Sequence, residues 1–413
     1  MKILFVTPFL PSPPRFGGQR RLDGLMRELA RKHEVSVLAF NRTDEWEQQS
    51  AEATRSYCRE VVHIPSLDLT DNREKRTAQL RSLGSRHSFE YRLAARRTDF
   101  QRVLDRMLRE TQYDIVQFEF AQMATFEFDS RPASAPIFVL DEHNVEYDIL
   151  RRTASSSGSI PRFVYNSLNW RKLAREERSA WRRFDGIALT SARDEELVRR
   201  EYPTGQTAVI PNGVDLTEFS LAQEPVEPQM LLFFGAINYH PNHDGVIYFI
   251  DHVLPKIRRR YPQAKFCVMG PGARQEVHDR QGNGVEILGM VDDVAPYINR
   301  AAAIVVPLRI GGGTRLKIVE ALSKGKAVIS TRLGAEGIDV VHDQHLLLAD
   351  EPDDFAAQVG RVLDDSDLAA RLGRAGRTLM EEKYSWQSIV ARLESFYEQV
   401  RQAKRAEPAS SRP

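Results

Sequence analysis

The amino-acid sequence predicts an α/β protein built from two doubly wound, Rossmann-like domains facing a central cleft. Three observations carry this. The chain has 413 residues, more than one hydrophobic core fills. Short apolar runs, typical of strands buried on both faces of a parallel sheet, alternate with helical segments along its length. Near residue 212 the pattern breaks into turn residues and acids, and then starts again.

The first domain, 1–211, opens with the strand "KILFVT" and a Pro/Gly-rich loop, "PFLPSPPRFGG". Leu22, Leu25, Met26 and Leu29 then recur at helical spacing, and "EVSVLAF" is the next strand. This β-loop-α-β unit is the building block of a parallel sheet. "DIVQFEF", "PIFVLDE", "DGIALTS" and "TAVIPN" continue the series. The segment "NGVDLTEFSLAQEPVEPQ" reads as the junction between domains. In the second domain, 212–385, the strands are "MLLFFGA", "AKFCVMG", "VEILG", "AIVVPL", "KAVIST" and "HLLLAD". One helix is expected over "DGVIYFIDHVLPKIRRRY", with Val246, Phe249, Ile250, Val253 and Ile257 on its buried face. Residues 386–406 form a last helix, striped by Trp386, Ile389, Leu393, Phe396 and Val400, and expected to cross back to the first domain. The tail 407–413 reads as disordered.

Composition narrows the function. Apolar content of 42% and charged content of 28% are those of an ordinary globular protein, and the net charge of +1 gives no general attraction to nucleic acid. No apolar run reaches the roughly 18 residues of a membrane span, and the N-terminal run is too short for a signal-peptide core. The two cysteines, Cys58 and Cys267, have no paired spacing, which fits a reducing cytoplasm.

The densest chemistry lies in "RIGGGTRLKIVEALSKG". Gly311, Gly312 and Gly313 sit where the strand "AIVVPL" turns into a helix ending near Gly325. Glycines there let backbone N–H groups approach a ligand, and a helix start favours phosphate. Thr314 suits the helix cap. Arg315 and Lys317 oppose the helix dipole in the first turn, a local conflict that an anion would relieve. Glu320, one turn on, suits two vicinal hydroxyls such as those of a ribose. The loop therefore reads as a site for a nucleotide diphosphate. It is neither a Walker loop nor a dinucleotide fingerprint.

This block, with "LGAEGI" after it, resembles the donor site of glycosyltransferase family 4, retaining enzymes of the GT-B fold. "FLPSPPRFGGQRRLDGLMRELARKHEVSVL", "VIPNGVDLTEF", "LLFFGAINYHPNHDGVIYFI" and "ILGMVDDVAPYINRAAAIVVPL" resemble further family blocks in the right order. The resemblance implies that Glu320 holds the ribose and that Arg315 and Lys317 face the diphosphate. It also implies that Gly17 and Gly18, before the first helix, face the phosphates or the sugar. The family's first motif glutamate falls on Gly312, and the nucleotide domain has Ala236 where a basic residue is common, with no lysine close by.

Asp141, Glu142, His143 and Asn144 emerge just past a buried strand, at the functional edge of an α/β sheet. The resemblance implies that His143 lies near the transferred sugar, with Asp141 or Glu142 fixing its tautomer. Glu119 and Glu146 read as surface charges. Arg20 and Arg21 read either as acceptor or phosphate contacts or as surface charges. No metal is expected: "DSD" at 365–367 reads as helix capping by Asp367, and His240 and His243 fall in a turn. Residues 72–109 carry eleven Lys/Arg against four acids, and residues 151–183 nine against two, with aromatic and aliphatic residues interleaved. That pattern is either a solvated basic face or a contact for an anionic lipid surface or phosphorylated acceptor. The expectation is a metal-independent transferase without a cofactor, cytoplasmic or peripheral on the inner face of the membrane. It would move a sugar from a nucleotide-diphosphate donor to a glycan, lipid-linked or small-molecule acceptor, with retention. A nucleotide-sugar epimerase of the same fold and an inactive nucleotide-sugar-binding scaffold are the alternatives.

Overall fold

The structure is a computed structural model and describes residues 1–41, 45–66, 72–89, 91, 97–130, 135–155, 160–221, 225–291, 293–310 and 316–406. The chain forms two compact units, one of Met1–Pro211 with the helix residues from Ile389 onward, the other of Asn212–Ser388.

The first unit is a seven-stranded, wholly parallel sheet. Its strands are β1 (Lys2–Thr7), β2 (Glu34–Asn41), β3 (Glu60–Pro65), β4 (Ile115–Glu119), β5 (Ile137–Glu142), β6 (Gly186–Leu189) and β7 (Thr207–Val209), in the order β3-β2-β1-β4-β5-β6-β7. Central strands β4, β5 and β6 are buried along their whole length, which is why they appear in the sequence as continuous apolar runs. The edge strand β3 was not legible. "EVVHIP" is largely open to solvent, is interrupted by His63 and ends in a proline.

The second unit repeats the plan with β8 (Met230–Phe234), β9 (Lys265–Met269), β10 (Val285–Gly289), β11 (Ala303–Val306), β12 (Val328–Ser330) and β13 (Leu347–Leu348), in the order β10-β9-β8-β11-β12-β13. In both sheets the order reverses beside the first strand, between β1 and β4 and between β8 and β11. Ligands of doubly wound sheets bind beyond the C-terminal strand ends at that reversal.

Two local expectations need correction. The helix after β8 is not continuous. Helical turns at His240–Tyr248 and Leu254–Arg260 flank a π-helical turn, Phe249–Val253. Pro255 has no N–H and crowds the carbonyl four residues back, so the helix widens just ahead of it. The helix Ser366–Leu379 is capped by Asp365, not Asp367: the Asp365 carboxylate accepts from the backbone N–H groups of Asp367 (3.0 Å) and Leu368 (2.9 Å). The segment after Pro211, read as the junction, is tied to the second unit. Val214 N–H donates to Tyr384 O, and Phe219 is buried in the core of the second unit.

The last helix, Trp386–Ala406, buries Ile389, Leu393, Phe396 and Val400 of its stripe, whereas Trp386 is half-buried. From Ile389 on it belongs to the first unit. Gly186 gives it room, since a Cβ there would stand 2.7 Å from Val400 and 2.9 Å from Phe396. Lys404 fixes the far end, donating to Pro136 O (2.9 Å) and pairing with Asp185 (2.8 Å). The tail 407–413 lies outside the described residues.

Candidate active site

In the first unit, the C-terminal ends of β4 and β5 carry a buried cluster of charge. Glu119 and Asp141 are register partners on adjacent strands, so two carboxylates stand side by side with no exposure to solvent. Like charges in that position repel, and neither is hydrated. Arg21 from the helix Gly17–Ala30 answers them. It is 1% exposed; its Nε and Nη2 donate to Asp141 at 2.8–3.1 Å, and its Nη1 donates to Pro211 O at 3.0 Å. Arg21 is therefore not a surface charge but the buried counter-ion of the sheet edge.

Glu119 also departs from the sequence reading. Instead of facing solvent, its Oε2 lies 2.7 Å from His143 Nε2, and its Oε1 accepts from Gln117 Nε2 at 2.7 Å. Thus Glu119, not Asp141 or Glu142, partners the histidine. Glu142 points to the other face of the strand, where it accepts from Trp181 Nε1 at 2.9 Å. Burial pushes the Glu119 carboxyl up to about 7 against the pull of Arg21, and pushes His143 down to about 3. Near neutral pH the imidazole is therefore neutral while the carboxyl exchanges between two states that differ by one proton: a buried carboxylic acid donating to the ring, and a carboxylate accepting from the imidazole N–H.

Phe120 is a residue that sequence reasoning missed. It holds a positive φ of 67°, rare for an aromatic residue, and its ring stacks on His143 with centroids 3.7 Å apart. It also meets Phe9 edge-on, and a Cβ on Gly18 would stand 3.1–3.2 Å from Phe120, Phe16 and Phe9. Gly18 and His143 therefore both lie against the Phe120 ring. Gly17 is the first residue of the helix and is exposed. Donor atoms of Glu119, Asp141 and His143 come within 4.8 Å of one another. However, the Asp141 carboxylate is taken by Arg21, and Glu119 and His143 are taken by each other. The guanidinium already supplies the positive charge, so the cluster is an ion pair beside a proton-sharing pair.

In the second unit, the loop Gly311, Gly312, Gly313, Thr314 and Arg315 lies outside the described residues. Lys317 and Glu320 follow it on the helix Leu316–Ser323, three residues apart and so on neighbouring positions of one face. Glu320 is only 8% exposed. Lys317 reaches across to the end of β8. Its Nζ donates to Asn242 Oδ1 at 2.6 Å and sits 3.8 Å from the centre of the Phe233 ring. Asn242 is held in turn by donating to Ala236 O at 2.8 Å. The sequence around Ala236 offers no lysine, yet an ammonium group arrives at Asn242, which bonds Ala236 O, from a residue 75 positions away. The floor beneath it is glycine. Gly235 and Gly270 hold φ of 134° and 137°, and a Cβ on Gly270 would fall 1.9 Å from Gly235 O. Two strand ends can approach this closely only without side chains. Gly325, at φ 67°, terminates the helix as its position implies. His243 bonds Glu276 at 3.1 Å.

Comparison with known proteins agrees with this architecture. Residues 17–218 match the family model described as Glycosyltransferase Family 4, and residues 228–365 the one described as Glycosyl transferases group 1. A phosphatidyl-myo-inositol mannosyltransferase of Mycobacterium tuberculosis is 30% identical over 213 residues, 48% of this chain and 55% of that protein. The chain thus spans about half the length of the curated relatives it matches. Sucrose-phosphate synthase of Thermosynechococcus elongatus superposes with a TM-score of 0.67 at 17% identity, covering 98% of this chain and 100% of the other. Anabaena HepE, solved in complex with UDP and glucose, superposes with 0.65 at 15% identity, covering 96% and 99%. Matched in sequence across both parallel-sheet units and in fold along nearly its whole length, the chain belongs to glycosyltransferase family 4 and has the GT-B fold.

Proposed function

We propose that the protein transfers a sugar from a nucleotide-diphosphate donor to an acceptor hydroxyl, with retention at the anomeric carbon. The observation that carries this reading is the placement of Lys317. An ammonium group is held over a glycine floor at the strand-order reversal of the second sheet, with the carboxylate of Glu320 on the same helix face. A pyrophosphate beside Lys317 and a ribose on Glu320 use both charges. Gly311, Gly312, Gly313, Thr314 and Arg315 complete the donor site through backbone N–H groups, a hydroxyl and a second cation. HepE binds UDP and glucose, which supports a uridine nucleotide as the first donor to try.

The first unit contributes the acceptor side and His143. Transfer breaks the bond between the anomeric carbon and the phosphate oxygen and forms one to the acceptor oxygen. The acceptor proton leaves to the departing diphosphate. Negative charge grows on that diphosphate, where Lys317 and Arg315 stabilise it without a metal. His143 orients a sugar hydroxyl, and Gly17 and Gly18 let the sugar approach the backbone. A lipid-linked or membrane-presented acceptor is supported by a set of exposed apolar side chains among cations. Leu80 and Leu83 on the helix Asn72–Leu83 and Phe163, Val164 and Leu168 on the helix Ile160–Trp181 are open to solvent. No helix among the described residues is long and apolar enough to cross a membrane.

The test is incubation with UDP-, GDP- and ADP-sugars and a panel of glycan, polyprenyl and small-molecule acceptors, with the anomeric configuration of any product read by proton NMR. A retained product supports the reading. Sugar nucleotide consumed without acceptor points to an epimerase, and donor binding with no turnover on any acceptor points to a scaffold. Turnover that persists undiminished in EDTA supports metal independence.

A further inference from the structure

A hydrogen-bonded chain runs through the first unit from the C-terminal helix to the histidine. The Tyr397 hydroxyl donates to Gln117 Oε1, Gln117 Nε2 donates to Glu119 Oε1 at 2.7 Å, and Glu119 Oε2 meets His143 Nε2 at 2.7 Å. Tyr397, Gln117 and Glu119 are wholly buried and His143 nearly so. Gln117 and Glu119 are two residues apart on β4 and share a face, so one strand spaces the chain.

The chain has a direction. A tyrosine hydroxyl donating to the amide oxygen turns the Gln117 NH₂ toward Glu119. That N–H occupies Oε1, so any proton on the carboxyl must lie on Oε2, against the ring. A protonated Glu119 then donates to Nε2, leaving the hydrogen of the neutral imidazole on Nδ1. An ionised Glu119 instead accepts from Nε2–H and leaves a lone pair on Nδ1.

We propose that Glu119 is the positioning residue of His143, and that the Tyr397–Gln117 arm from the C-terminal helix fixes which carboxyl oxygen faces the ring. With that oxygen fixed, the protonation state of Glu119 determines whether Nδ1 offers a hydrogen or a lone pair. The charged and titratable groups facing the pair are Arg21 from the first helix, Asp141 from β5, and Tyr397 with Glu394 behind it on the terminal helix. Arg21 and Asp141 neutralise each other, and Glu394 pairs with Lys32 and His33, so ionising Glu119 adds a negative charge to the group. Its ionisation near neutrality switches the histidine from donor to acceptor as pH rises. The role in sugar transfer rests on the reading above, whereas the tautomer does not.

The experiment uses the full chain labelled with ¹⁵N-histidine, without nucleotide or sugar. Imidazole nitrogen shifts are followed from pH 5 to 9, and His143 is assigned from the His143→Asn spectrum. The expected result is a change from the Nδ1–H to the Nε2–H tautomer within about one pH unit of 7. In Glu119→Gln the amide N–H₂ faces Nε2 and His143 stays Nδ1–H throughout. In Tyr397→Phe, one oxygen atom smaller, the crossover moves by at least half a pH unit. If the His143 spectrum of Glu119→Gln follows wild type, Glu119 does not position the ring. An unmoved crossover in Tyr397→Phe removes the arm, and that variant decides alone if Glu119→Gln does not fold. Because no donor is present, these outcomes are separate from success or failure of turnover.

Discussion

Replacing Arg21 with methionine isolates the cost of a buried charge at the site. The variant keeps the volume of the stem but removes the cation from Asp141, which has no exposure to solvent. Asp141 must then either stay charged without a partner or take up a proton. Breaking a buried pair from one side costs about 3–5 kcal/mol. The second route gives a figure that depends on pH. Starting from the ordinary aspartate value of 3.8, protonation costs about 4 kcal/mol at pH 7 and about 1.6 at pH 5. The loss should therefore shrink by about 2–3 kcal/mol between pH 7 and pH 5, above a pH-independent loss of the contact with Pro211. The double variant Arg21→Met/Asp141→Asn should lose this pH dependence. Urea unfolding followed by tryptophan fluorescence is suitable, because Trp181 is fully buried in the same core cluster. A single variant within about 1 kcal/mol of wild type at pH 7, or one whose loss is the same at both pH values, would refute the counter-ion role of Arg21.

Three further outcomes are expected. Glu119 has a folded-state value raised to about 7, so it binds its proton more tightly folded than unfolded, and its contribution to stability falls as pH rises from about 4.5 through 7; Glu119→Gln should remove about 3 kcal/mol of that decline, read from melting curves at pH 5 and 8. Gly270→Ala, with its Cβ 1.9 Å from Gly235 O and a φ of 137°, should cost at least about 3 kcal/mol, whereas Gly282→Ala, with φ 100° and open space around it, should cost about 1–2, as chemical denaturation of both will show. Phe163→Asp with Leu168→Asp should reduce sedimentation with vesicles of anionic lipid without changing the melting temperature, since both side chains are exposed; equal recovery of variant and wild type in the pellet would dismiss this surface as the membrane contact.

The fold was legible wherever burial on both faces wrote itself as an apolar run. The strands from "KILFVT" to "HLLLAD" stand where those runs place them, and only the solvent-facing β3 escaped. The site was legible in its position but not in its pairing. Sequence reading located His143 at a strand end, yet assigned its partner to its neighbours, because charged residues are seldom buried unless paired and the pairing here is remote. Arg21 and Asp141 are 120 positions apart, Glu119 and His143 are 24 apart, and Tyr397 meets Gln117 across 280. No periodicity records such contacts. Lys317 is the same case: the sequence shows a cation straining a helix start, and only the fold shows that its ammonium reaches Asn242 and the glycine floor.

The measurement that bears most directly on the function is calorimetric titration of UDP-, GDP- and ADP-sugars into wild type, Lys317→Ala and Glu320→Ala. At least one donor should bind wild type. Each substitution should weaken that donor by about 2–3 kcal/mol, roughly 30–150-fold, as loss of a charged hydrogen bond requires. Full affinity retained in both variants, or no nucleotide sugar bound by wild type, would contradict the donor site proposed at the end of β11.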